Sequence, residues 1–207
     1  MWITPDAESL IAEIARVSNP NNQKNPQYAG LIKYLVTHKH WSPFEMANAT
    51  FEINTSRRIA PQILRHRSFS FQEFSTRYAA VDGFVDVNPR NQDLKNRQSS
   101  HDTVSEENKN FFQKAKDDIE NLALEYYNNA LSLGIAKESA AFLLPMSAKT
   151  KIYMNGTIRS WIHYCDLRTD PGTQLEHREI ALAIKNTLID NLPNVAVALG
   201  WTNETNT

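Results

Sequence analysis

Residues 65–78, RHRSFSFQEFSTRY, place three arginines, a histidine and four aromatic rings in fourteen positions, with Glu73 as the one acid. A guanidinium offers a planar fork that pairs with phosphate and stacks on flat heterocycles. Here such forks are interleaved with Phe69, Phe71, Phe74 and Tyr78, while Ser68, Ser70, Gln72 and Ser75 can meet base edges. The combination suits a heterocycle joined to phosphate, a nucleotide or a flavin. Upstream the charge continues, because Arg57, Arg58, Arg65, Arg67 and Arg77 are balanced only by Glu73 in their stretch. The same composition also allows a basic helix end salt-bridged to acids elsewhere, with the phenylalanines in the core.

A second cationic group lies on TIRSWIHYCDLRT, where helical spacing puts Arg159 and His163 on one face and Arg168 about a turn beyond. A cation beside a bound ring stabilises an enolate-like anion on it; ordinary salt-bridged surface arginines are the alternative. No metal site is expected, since His38 and His40 are two apart and point to different faces of a helix. Glu176 and His177 fall on a polar helix and read as a solvated face, and Cys165, with no base near it in sequence, reads as a small buried side chain. Ser75 fits no nucleophile elbow. The six glycines form neither a G-x-G-x-x-G turn nor a P-loop, so a bound phosphate must be met by arginines, hydroxyls and helix ends.

The rest of the chain has to position these groups. At 207 residues with a net charge of −1 and 41% hydrophobic residues, it predicts a single domain over residues 1–207 with one sizeable core. It lacks the broad basic surface expected of a nucleic-acid binder. The lone cysteine excludes an intramolecular disulfide and a cysteine-based zinc cluster, and fits a reducing compartment. No run approaches the roughly 20 apolar residues of a membrane span, and MWITPDAESL is no signal peptide, so a cytoplasmic location is expected.

Thr4, Pro5, Asp6 and Glu8 read as a capped helix start, YAGLIKYLVTHKHW as a second helix with Leu31, Leu35 and His38 on one side, and NATFEINT as a strand. Thr55 or Ser56 is expected to cap a helix through RRIAPQILRHR, irregular at Pro61, before the chain turns extended from Ser68. Residues 88–110 read as a polar surface excursion. Phe111, Ala115, Ile119, Leu122, Tyr126, Ala130 and Leu133 recur at spacings of 4, 4, 3, 4, 4 and 3, one apolar stripe along a long helix ended by Gly134. KESAAFLL predicts a short helix, KTKIYMNG a strand, TIRSWIHYCDLRT a helix, and TQLEHREIALAIKNTLIDNL a last long helix closed by Pro193.

Taken together these residues resemble one family, the flavin-dependent thymidylate synthases. Its signature, R-H-R-x-x-S-x-[NQ]-E-x-S-x-R-Y, is filled by Arg65, His66, Arg67, Ser70, Gln72, Glu73, Ser75, Arg77 and Tyr78. HWSPFEMANATFE upstream and LLP, NGTIRSWIHYCDLRT and TQLEHREIA downstream are similar to further family segments.

The resemblance implies an α+β subunit, a single domain with a central, mostly antiparallel sheet flanked by long helices, assembled as a homotetramer with sites where subunits meet. It implies transfer of a methylene group from methylenetetrahydrofolate to C5 of dUMP, with reduced FAD as hydride donor and NADPH as reductant, and neither nucleic acid nor membrane as partner.

By position, FAD is expected at Ser42, Arg65, His66, Arg67, Glu73, Thr157, Ile158, Arg159 and His163, and dUMP at Gln62, Ile63, Leu64, Arg65, Glu73, Phe74, Ser75, Thr76, Arg77, Ala141 and Arg168. Arg168 matches the catalytic arginine that favours ionisation of the uracil ring, and His40 and Tyr78 match neighbours of folate or flavin.

The chain departs from the pattern at Met46, Gln72 and His163, and Ala141 stands where the family's A-R-x-x-L-P carries an arginine. A lost charge-assisted bond of roughly 1.5 to 3 kcal/mol predicts weakened dUMP binding. A module gripping single-stranded nucleic acid and a flavin-binding relative without catalysis are the competing functions.

Overall fold

The computed structural model describes residues 1–202; the last five of the expected 1–207 span lie outside the described residues. The chain forms two compact units, one of residues 1–52, 66–71 and 153–202, the other of residues 53–65 and 72–152.

In the first unit, β1 (Trp2–Ile3) pairs antiparallel with β2 (Asn48–Ser56), placing Trp2 opposite Thr50. Thr4 prolongs this pairing and does not cap the helix: its N–H donates to the Asn48 carbonyl at 2.9 Å, and its hydroxyl accepts from the Asn48 N–H at 2.9 Å. Helix α1 (Ala7–Ala15) instead starts after Asp6, which sits in the left-handed region at φ 48°. Helix α2 (Ala29–Thr37) stops short of Trp41 because Lys39 turns the chain at φ 58°; of the expected side it buries Leu35, joined by Ile32, while Leu31 is half-buried and His38 exposed.

The four-stranded sheet has the order β1-β2-β6-β3, with β3 Ser70–Glu73 and β6 Lys149–Thr157. Along β6 every second residue, Thr150, Ile152, Met154 and Gly156, is buried, the alternation of a one-faced strand. After β6 come α6 (Ile158–Arg168), α7 (Leu175–Asn191) and α8 (Pro193–Leu199); α6 packs on α7, and α2 on α8. Pro193 therefore opens a further helix, its missing N–H costing nothing at the first position. Ile11, Phe44, Trp161, Tyr164 and Leu188 are fully or almost fully buried in this unit.

In the second unit the expected helix over 57–67 shrinks to the single turn α3 (Ala60–Ile63). Its first half is claimed by sheet-like pairing, the N–H groups of Arg57 and Arg58 donating to the carbonyls of Ala148 and Met146 at 2.9 Å each. The 88–110 excursion is exposed and carries a small hairpin, β4 (Asn91–Gln92) with β5 (Ser100–His101). Helix α4 (Glu106–Ser132) then starts with the Ser105 hydroxyl accepting from Asn108 N–H, and Gly134 ends it at φ 81°.

The apolar stripe read along α4 does not face the core of its unit. Phe111, Ile119, Leu122, Tyr126 and Leu133 are exposed and Ala115 is half-buried; of the stripe only Ala130 is buried, and the helix buries Glu120 and Tyr127 beside it. Tyr127 and Ala130 pack with Ala140 of α5 (Lys137–Ala140), flanked by Leu124, Leu131 and Leu144.

Candidate functional site

The residues expected at the flavin divide between the units: Ser42, His66, Arg67, Thr157, Ile158, Arg159 and His163 lie in the first, Arg65 and Glu73 in the second. Thr157 caps α6, its hydroxyl accepting from the Ser160 N–H at 3.2 Å, and Ile158, fully buried, donates its N–H to the Ala47 carbonyl at 2.8 Å. Arg159 and His163 then project, one turn apart, into a cavity of about 500 Å³ lined also by Trp41, Glu45, Ser68, Ser160, Ile162 and Asp166. Glu45 forms an ion pair with Arg159, so part of the guanidinium's charge is met inside the cavity. Glu45, Ser160 and Asp166 were not singled out from sequence, although Glu45 sits in the quoted HWSPFEM segment; Ser68 was, as a hydroxyl able to meet a base edge. Ser42 is exposed on the 3₁₀ turn Ser42–Glu45, whose other end supplies Glu45, and Arg67 is exposed with no ion pair among the described residues.

Arg168 does not share the face of Arg159 and His163. Five and nine residues along a helix amount to a half-turn or nearly so, and Arg168 reaches His66, its Nε–H donating to Nε2 at 2.8 Å. That bond requires His66 Nε2 to be an acceptor, so the ring is neutral with its proton on Nδ1. Burial, then the positive Arg168 and then His163 push the His66 pKa down to about 4, which agrees. Among the described residues only the Nε of Arg168 is hydrogen-bonded, and the two terminal nitrogens stay available.

An aromatic box supports this pair. The His66 ring stands edge-on to Tyr164 at 4.9 Å between centroids, and Phe69 packs edge-on to Trp161 at 4.6 Å. Gly156 admits Phe69: a Cβ there would run into the ring edge. His177, expected on a solvated face, is fully buried; its Nε2 lies 3.1 Å from the Tyr164 hydroxyl, while Nδ1 meets no hydrogen-bonding group among the described residues. Burial is the main cause that lowers its pKa to about 4. Only the turn from the expected polar face toward α6 hides His177, and its sequence gave no sign of that. Cys165 is buried as expected, and burial raises its thiol far above the ordinary range.

In the second unit Glu73 closes β3. Its Oε1 accepts from the Thr150 hydroxyl at 2.9 Å and lies 3.7 Å from Arg57 Nη1. The Phe74 N–H donates to the Lys151 carbonyl at 2.8 Å, and its carbonyl accepts from Arg57 Nη2 at 3.2 Å. Beyond it Ser75 begins a turn, Arg77 pairs with Glu138 at 2.9 Å, and Tyr78 is exposed, its carbonyl accepting from Lys137 at 3.0 Å. Thr76 and Ala141 share the wall of a cavity of about 340 Å³ with Arg57 and Glu138. Gln62 is half-buried, Leu64 and Arg65 are exposed, and Ile63 is fully buried, so its side chain can only back a site. His40 is exposed in the first unit, its ring 5.7 Å from that of Tyr34. The salt-bridge alternative thus holds for Arg57 and Arg77 in the first group of arginines and for Arg159 in the second; Arg65 and Arg67 form no ion pair among the described residues.

Comparison with known proteins supplies independent findings. The sequence profile of the thymidylate synthase complementing protein family matches residues 2–194. The chain is 54% identical over 200 residues to a probable flavin-dependent thymidylate synthase of Paramecium bursaria Chlorella virus 1, covering 94% of this chain and 91% of that one. It is 50% identical over 194 residues to the flavin-dependent thymidylate synthase of Synechocystis sp., covering 94% and 90%. Among solved structures, the UMP/dUMP methylase PolB of Streptomyces cacaoi bound with 5-Br dUMP superposes with a TM-score of 0.82 at 25% identity, over 96% of this chain and 93% of that one.

Proposed function

This chain belongs to the thymidylate synthase complementing protein family, and we propose that it is a flavin-dependent thymidylate synthase, converting dUMP to dTMP with methylenetetrahydrofolate as carbon donor and NADPH as reductant. The family match spans both compact units, which supports reading them as one functional domain.

The observation that carries the mechanism is the bond from Arg168 Nε to neutral His66. Tied at Nε, the guanidinium keeps its terminal nitrogens for the uracil ring, where a fixed positive charge favours ionisation at N3 and raises electron density at C5. No enzyme nucleophile is then needed, in keeping with a buried cysteine whose thiol stays protonated. Gln62, Arg65, Glu73, Phe74, Ser75, Thr76 and Arg77, backed by Ile63 and Leu64, are assigned to dUMP.

FAD is assigned to Ser42, Arg65, His66, Arg67, Glu73, Thr157, Ile158, Arg159 and His163. The cavity at Arg159 and His163 fits the group: it offers Trp41 and Ile162 to a planar ring and a guanidinium, an imidazole and two serines to polar atoms. When bound, the flavin supplies the hydride. The chain's own residues hold and orient it, and the neutral His66 keeps Arg168 in place. His40 and Tyr78, both exposed, are assigned to the folate or flavin surroundings.

A homotetramer with sites completed where subunits meet is part of the proposal, supported by the exposed apolar stripe of α4 and by the exposure of Arg65, Arg67 and Tyr78. A cytoplasmic location is proposed as well; no described helix is long and apolar enough to cross a membrane.

The test is product analysis with FAD-loaded protein. dTMP is expected only when dUMP, methylenetetrahydrofolate and NADPH are all present. No dTMP from flavin-loaded protein under that full set contradicts the assignment.

A further inference from the structure

The cavity of about 340 Å³ at position 141 is lined by Arg57, Thr76, Glu138 and Ala141, with an apolar remainder that includes Leu144 and Met146. Ala141 gives its wall a methyl group, so Arg57 is the one cation among the lining residues. The one lining acid, Glu138, is already engaged by Arg77 at 2.9 Å.

Arg57 is also held in advance. Its N–H donates to the Ala148 carbonyl at 2.9 Å, its Nη2 donates to the Phe74 carbonyl at 3.2 Å, and its Nη1 stands 3.7 Å from Glu73, too far for a close hydrogen bond. A guanidinium anchored at one nitrogen and loosely paired at another retains donors for an incoming anion and loses little freedom on binding it. Thr76 adds a hydroxyl, and it belongs to the segment assigned above to the nucleotide.

We infer that Arg57 anchors the phosphate of the nucleotide in this cavity, taking the place of the cation that position 141 lacks. The inference rests on the proposed function and adds to it a phosphate-binding residue outside the 65–78 motif. It also revises the expectation drawn from Ala141: dUMP binding need not be weak, because the charge is supplied from β2's end of the sequence and not from position 141.

Calorimetric titration of the full chain with dUMP and with deoxyuridine, which lacks the phosphate, tests it. For Arg57→Gln the affinity for dUMP is expected to fall about ten- to a hundredfold, the loss of one charge-assisted bond. Deoxyuridine binding should stay within about twofold on the same scale. Adding Ala141→Arg to Arg57→Gln should restore most of the dUMP affinity, a rescue that a merely structural role for Arg57 would not give. Equal loss for both ligands, an unchanged dUMP affinity or a failed rescue overturns the inference. Wild-type protein that binds neither ligand overturns the function itself, a result distinct from lost phosphate discrimination.

Discussion

Arg168 and His66 stand 102 residues apart in sequence, yet the Nε–H of one donates to the Nε2 of the other at 2.8 Å. The contact joins the two arginine-bearing motifs of the sequence and fixes how one guanidinium is presented. Lysine has no side-on donor, so it cannot be tied to His66 while offering a flat, two-nitrogen edge. For Arg168→Lys we expect kcat to fall about 10²- to 10³-fold, the cost of one misplaced electrostatic donor, with flavin content unchanged. Steady-state kinetics beside the visible spectrum checks this, and a change in kcat of threefold or less speaks against the role.

The two depressed histidines make acid stability predictable. His66 and His177 each titrate near 4 when folded against 6.5 otherwise, so below pH 6.5 the unfolded chain binds more protons than the native one. Their contribution is full above about pH 6.5 and declines as pH falls toward 4. Urea unfolding between pH 7 and pH 4.5 should show this slope, and His177→Phe, which keeps an aromatic ring and removes one titrating group, should reduce the histidine part of it by about half. An identical slope in that variant contradicts the assignment of His177.

Gly156 is needed for space, not for backbone conformation, because Phe69 lies where a side chain would stand. Gly156→Ala should displace the Phe69 ring, which packs on Trp161, and cost about 1 to 3 kcal/mol as overpacking does. His66 stands next to Phe69 in the same turn, its ring 6.3 Å away, so FAD retention should fall too. Thermal unfolding and the flavin-to-protein absorbance ratio measure both effects; full retention of both would contradict the account.

The stripe on α4 bears on assembly. Ile119 and Tyr126, 59% and 56% exposed, lie two turns apart on one face. Ile119→Glu with Tyr126→Glu should shift sedimentation toward smaller species while leaving the far-ultraviolet circular dichroism unchanged. A wild-type protein that sediments as a monomer would contradict the assembly.

These cases show which parts of the molecule are legible in sequence. Strands β2 and β6 and helix α6 are legible as strand-forming and helical runs, because those signals act within a few residues. Helix α4 and its stripe are legible, but not what the stripe faces, because periodicity says which residues share a side and not what that side meets. His177 escaped for a related reason: a polar run hides one histidine turned inward onto Tyr164. The helix expected over 57–67 lost to backbone pairing with Ala148 and Met146, residues far along the chain. Motif residues could be read by type and order, and Arg57 as one charge of a basic stretch, whereas Glu45 and Thr150 acquire their relevance only from contacts made in the folded chain.

The most direct test of the central claim is the visible absorption spectrum of the purified, FAD-supplemented protein before and after addition of dUMP. The account predicts a bound-flavin spectrum that shifts when dUMP is added, the response expected of a protein that binds both ligands. A protein that stays colourless after incubation with FAD, or a flavin spectrum that dUMP leaves unmoved, would contradict it.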